Sequence, residues 1–190
     1  MFGEWYRLMI HGRFEKPLQM ELLTRPEFVG TRKVPSDLNL LSFGQIIQLQ
    51  EITDVERMFF VPACVVLGMN ESEVLKSDAV EIVRFSAWVA KEMRRINKLF
   101  ESTNRKPTRQ EVEAGIEGLK FGIFGTVDWY ALRMGIDDHE KVMEVPWMRI
   151  YKCLQIDSEK HKYELRLRKV YERERDAKKK RRREIEGYSQ

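Results

Sequence analysis

Residues 77–104 read SDAVEIVRFSAWVAKEMRRINKLFESTN. Within them Ile82, Phe85, Val89, Met93, Ile96 and Phe100 recur at intervals of three or four, the period that aligns apolar side chains along one side of an α-helix. Ser77 and Asp78 precede the run, and either side chain can accept from the orphan N–H groups of a first helical turn. Ser102-Thr103-Asn104 closes it. Such a stripe must face a core or a partner helix, so the stretch predicts a mainly α fold.

The helical signal spreads to both sides. Upstream, Pro35-Ser36-Asp37 reads as a helix start, and Leu38, Leu41, Gln45, Ile46, Leu49 and Ile52 follow at helical spacing. Thr53-Asp54 is expected to cap a short helix through Phe59-Phe60, which Pro62 should end or kink. Val61 to Leu67 is an apolar run that periodicity leaves open between buried strand and buried helix. Downstream, Pro107-Thr108-Arg109-Gln110-Glu111 spells a capping box, with Val112, Ile116 and Leu119 as inward positions. Gly115, Gly118, Gly122 and Gly125 either share one helical face or break the helix. The break is the favoured reading, with Thr126 capping a new helix to Met134 and Gly135 ending it. Asp137-Asp138-His139-Glu140 caps a further short helix, and Pro146 suits a first turn. From Trp147 a stripe of Ile150, Tyr151 and Leu154 continues through Tyr163, Leu167, Val170 and Tyr171.

The two ends differ from this body. Residues 1–35 are expected to be a short irregular or weakly β segment. Trp5, Arg7, Met9 and His11 alternate with Tyr6, Leu8 and Ile10, and residues 18–22 alternate again, as in a hairpin. Pro26, Gly30 and Pro35 then mark an extended connection. At the other end, cations outnumber acids by 13 to 8 between Asp157 and Glu186, which leaves the rest of the chain close to neutral. Lys178, Lys179, Lys180, Arg181, Arg182 and Arg183 form an unbroken block, of a kind that attracts phosphates or an acidic protein groove. As one helix, residues 157–186 would span about 45 Å, too long and too polar for a core. The expected organisation is therefore an N-terminal segment 1–35, a helical body 36–156 and a charged helical arm 157–190.

Composition bounds the function. The chain has 190 residues, 43% hydrophobic and 34% charged, with a net charge of +4. Four Trp and ten Phe argue against a disordered chain. No apolar run approaches the ~20 residues of a membrane span, so no membrane role is expected. The first residues lack the basic and apolar regions of a secretory signal. Cys64 and Cys153 sit in apolar contexts and read as reduced thiols, with a disulfide left open. His11, His139 and His161 make no metal-ligand spacing, and no metal is assigned. Gly122-Ile123-Phe124-Gly125-Thr126 lacks the Gly-Lys-Ser/Thr ending of a phosphate loop. Asp137, Asp138 and Glu140 fit helix capping better than a cation site. Asp128-Trp129-Tyr130 and Pro146-Trp147 read as core aromatics rather than a sugar site. Residues 107–133 have a helix-turn-helix outline, but Val127 to Arg133 offers too few donors for base edges. No catalytic residue and no cofactor is assigned, and an enzyme is not expected.

The stretch from Ala114 to Gly122 (AGIEGLKFG), the segment Asp128-Trp129-Tyr130-Ala131, and Trp147 followed by a long charged helix resemble small assembly proteins of tailed bacteriophages, such as tail-assembly chaperones and head–tail connector components. The resemblance covers residues 36–175 in general character and carries no residue over. It implies a virion or host-cytoplasmic protein that docks on other assembly or virion proteins without catalysis. Tyr163, Leu167, Val170 and Tyr171 would pack on a partner helix, and Lys178 to Arg183 would add electrostatic attraction. A homo-oligomer is left open. The alternative is a nucleic-acid-binding protein whose basic arm tracks phosphates non-specifically.

Overall fold

In a computed structural model, which describes residues 1–10, 24–54 and 57–187, the chain is mostly helical. In order it runs through α1 (Phe2–Ile10), a hairpin of β1 (Phe28–Val29) and β2 (Arg32–Lys33), α2 (Phe43–Gln50), α3 (Arg57–Leu67) and α4 (Glu71–Lys76). Then follow α5 (Ala79–Thr103), α6 (Arg109–Glu113), a 3₁₀ turn (Ile116–Gly118), α7 (Gly122–Met134), α8 (His139–Glu144) and α9 (Trp147–Gly187).

Helix α5 is the axis of the body. Asp78 caps it, its Oδ1 accepting from Val80 N and Glu81 N. The expected stripe is buried from Ile82 to Ile96. The first half goes further: Val83, Ser86, Ala87 and Trp88 are buried too, so this part is enclosed on nearly every side. Helices α1, α2, α3 and α9 and strand β1 pack around it.

Several expectations change. Residues 2–10 form a helix, not an alternating strand. Phe2 is fully buried, and its ring lies 5.6 Å from Phe59 and 5.7 Å from Tyr6. A helix lets Phe2 and Tyr6, four residues apart, point the same way. His11 and residues 18–22 lie outside the described residues. The hairpin falls instead at 28–33, where Gly30 takes φ +56 and donates its N–H to Glu81 Oε2 at 3.0 Å. Helix α2 starts at Phe43 rather than after Asp37. Ser42 and Gln45 close a capping box there, while Asp37 only turns the chain by accepting from Asn39 N. Pro62 lies inside α3 without ending it. The helix survives because Phe59, Ala63 and Leu67 are buried along it, and that packing outweighs one lost backbone bond. The chain then leaves through Gly68, at φ +63.

Downstream, Thr108 and Glu111 form the expected capping box. Helix α6 is only five residues long, however, and Val112 and Leu119 are exposed rather than inward. The helix does break at the glycines, with Gly115 at φ +82 and Gly122 at φ +56. Helix α7 starts at Gly122, so Thr126 sits within it, and Gly135 ends it in a left-handed conformation as expected. Asp138 caps α8. Gly44 faces the backbone of Met143, where an added Cβ would stand 3.1 Å from the carbonyl oxygen, so α2 and α8 touch closely.

Candidate docking surface

The feature that leaves the body is α9, and its root is fixed by backbone bonds. Phe43 N donates to Val145 O at 2.8 Å, and Trp147 N donates to Leu41 O at 3.1 Å. The start of α2 is thus zipped to the start of α9. Trp147 is fully buried, and its Nε1–H donates to Leu38 O at 2.8 Å. Around it stand Phe100 at 5.8 Å and Tyr151 at 6.1 Å, with the Arg95 guanidinium 6.0 Å from the indole centroid. Ile150 and Tyr151 are buried in the same turns.

The next turns pass out of the core. Leu154 is half-buried, and Asp157 accepts twice from Arg133 Nη1 at 2.6 Å, tying α9 to α7. That guanidinium also lies 5.4 Å from the Trp129 centroid. The carboxylate of Asp157 holds the Arg133 pKa above its ordinary value. Thr103, Trp129, Leu154, Asp157 and His161 line a cleft of about 340 Å³ at this root. Beyond His161 nearly every described side chain of α9 is exposed.

The remaining arm, to Gly187, spans about 40 Å at ~1.5 Å per residue. Local chemistry supports a helix whose described side chains are mostly solvated. Glu, Lys, Arg and Leu are good helix formers. Glu164 precedes Arg168, Glu174 precedes Lys178 and Asp176 precedes Lys180, each by four residues and in the favourable order. Lys162 Nζ meets Glu159 Oε1 at 2.8 Å.

The arm carries all the residues singled out for docking. Tyr163 is 57% exposed, Val170 46% and Tyr171 61%, with Leu167 half-buried among its neighbours. Lys178, Lys179, Lys180, Arg181 and Arg182 are exposed, while the side chain of Arg183 lies outside the described residues.

Sequence reading misses a second exposed apolar surface, because it places Leu119 inward. Leu119, Phe121 and Phe124 are more than 60% exposed on the knob between α6 and α7. One signal points to it: Gly115, Gly118, Gly122 and Gly125 interrupt the chain here, and a helix broken there cannot hold a continuous inward face. Phe124 rests edge-on against His139, 5.0 Å between ring centroids.

The other chemical candidates resolve into packing. Tyr130 and Trp147 are core residues, and Trp129 is half-buried. Asp138 serves as a cap, accepting from Glu140 N. Among the described residues no group of three or more His, Cys, Asp or Glu is placed to hold a metal ion. Cys64 and Cys153 are free and half-buried, and burial raises the Cys64 pKa. In the helix-turn-helix outline, Val127, Tyr130 and Ala131 of α7 face the core, and Arg133 is engaged with Asp157. An apolar cleft of about 480 Å³ lies between α2, α3 and α5, beside the buried Ser86 Oγ, which has no hydrogen-bond partner. Among the described residues no helix is long and apolar enough to cross a membrane. No family model, curated protein or solved structure matches the chain.

Proposed function

We propose that this chain is a non-enzymatic assembly protein that works by docking, with the helical body as platform and α9 as the contact element. The setting is bacteriophage virion or tail assembly inside the host cell. The observation that supports this reading is the arm itself: a helix that continues about 40 Å past its last core contacts, with Tyr163, Val170 and Tyr171 exposed along it. Apolar side chains on a solvated helix gain stability by being covered, and Tyr163, Val170 and Tyr171 stand exposed among the described residues beyond His161.

The test is genetic. Tyr163→Ser, Leu167→Ser and Val170→Ser are introduced together into the encoding genome, and assembled particles are counted by electron microscopy. At least a tenfold loss of complete particles is expected, with the body still folded by circular dichroism. A normal particle yield would sink the reading.

A second reading has its own support in the exposed cations Lys178 to Arg182. If the block bound duplex DNA through six phosphates, log K would fall with log salt at a slope of about −5. A slope near zero would remove that reading.

A further inference from the structure

We propose that the occupant of the arm's apolar stripe is a second copy of this chain, paired antiparallel along α9. The inference rests on the docking reading of the arm and names its partner.

The stripe has a seven-residue repeat. Ile156, Tyr163, Val170 and Ala177 are spaced by seven, and Leu167 falls in a second row with Lys160, Glu174 and Arg181, also spaced by seven. These two rows, three and four residues apart, are the seam positions of a two-stranded coiled coil. Ile156, Tyr163, Val170 and Ala177 are all exposed, Ile156 by 48%, so the row is open from the root of the arm outward.

Charge decides the orientation. A parallel, in-register pair would set Lys160 on Lys160, Glu174 on Glu174 and Arg181 on Arg181. It would also lay the six cations 178–183 beside their own copies, which is repulsive at every point. An antiparallel pair with Leu167 opposite Val170 does the reverse. Tyr163 then meets Glu174, Lys160 meets Ala177 and Arg181 meets Ile156. Each charged seam residue faces an uncharged one, over which its stem can lie while its charged end reaches water.

The same register places residues 178–183 along residues 154–159 of the second copy. That stretch, Leu-Gln-Ile-Asp-Ser-Glu, carries two acids and no cation. Asp157 and Glu159 already hold Arg133 and Lys162 within the chain, but a carboxylate has about four lone-pair sites and can accept more. Sliding by one heptad loses the match. In one direction the cation block meets residues 147–152, with Arg149, Lys152 and no acid; in the other it meets 161–166, where Lys162 and Arg166 outnumber the one acid, Glu164. The two-fold axis falls between Arg168 and Lys169, and the two Trp147 anchors stand about 65 Å apart at ~1.5 Å per residue. The bodies are therefore at opposite ends and do not compete for space.

The test measures the absolute mass of the full chain by light scattering at about 0.15 M and 1 M salt, the lower being physiological. A dimer is expected, weakened several-fold at high salt. Leu167→Ser with Val170→Ser should give a monomer, with the thermal unfolding of the body unmoved. Orientation is read by mixing Tyr163→Cys and Glu174→Cys chains in a Cys64→Ala, Cys153→Ala background under mild oxidation. The mixed disulfide should dominate. Two copies of residue 163 lie about 16 Å apart in the antiparallel pair, far beyond disulfide reach. A monomer at all concentrations, a dimer that survives the two serines, dominant self-pairing of the Tyr163→Cys chain, or association with duplex DNA alone would each overturn the inference. Particle assembly could still fail with the arm altered, so loss of the dimer and loss of the docking role are separable results.

Discussion

One side chain ties the first third of the body to the arm. Trp147 donates to Leu38 O across 109 residues of sequence, in a site from which water is excluded. Trp147→Phe keeps an aromatic ring but leaves that carbonyl unpaired and a cavity beside Phe100. The cost should be about 2–4 kcal/mol in urea unfolding, from the lost bond and the void together. A change below half a kilocalorie would mean that water reaches Leu38 O in the folded chain. Sequence reading finds this residue as a core aromatic at the head of a stripe. It cannot find Leu38 as its partner, because a backbone carbonyl carries no residue-type signal.

Helix α6 shows what an element gains from its cap. Glu111 accepts from Arg105, the main cause of its lowered pKa, and from the Thr108 backbone N–H; its pKa is pushed down to about 2. The folded-state value is depressed below the ordinary 4.5. The cap therefore contributes fully above about 4.5 and is lost as pH falls through about 2. The Glu111 carboxyl followed by NMR should titrate near 2, and Arg105→Ala should move it back toward its ordinary value. A midpoint near 4.5 in the parent chain would show that the pair does not hold in solution. The capping box is legible because its residues are neighbours in sequence. The exposure of Val112 and Leu119 is not, since inward and outward are defined only by what packs alongside. Pro62 within α3 and the helical residues 2–10 have the same cause: burial of Phe59, Ala63, Leu67 and Phe2 overrides local preference.

At the scale of the whole molecule, the exposure of the arm predicts that body and arm are separate in energy. A chain ending at Lys162 loses no described side chain that is buried, because those beyond it are exposed apart from the half-buried Leu167. Its thermal midpoint should stay within about 4 °C of the parent, a shift that in a domain of this size corresponds to ~1 kcal/mol. A fall of more than about 10 °C would mean that the arm supports the body directly. By itself the sequence determined the helical class, a long helix opening at Ser77-Asp78 and closing at 102–104, the capping box of Thr108 and Glu111, and the long charged helix after Trp147, while it left the glycines 115–125 open between a shared face and a break. All of these rest on periods and capping patterns contained within a few turns of chain. Only the tertiary structure decided that α5 is enclosed on nearly all sides, that α2 and α9 are zipped at their starts, and that α9 leaves the core near His161. Each of these joins residues far apart in sequence, and burial shared between distant segments is fixed by how the whole chain packs, not by any one stretch of it.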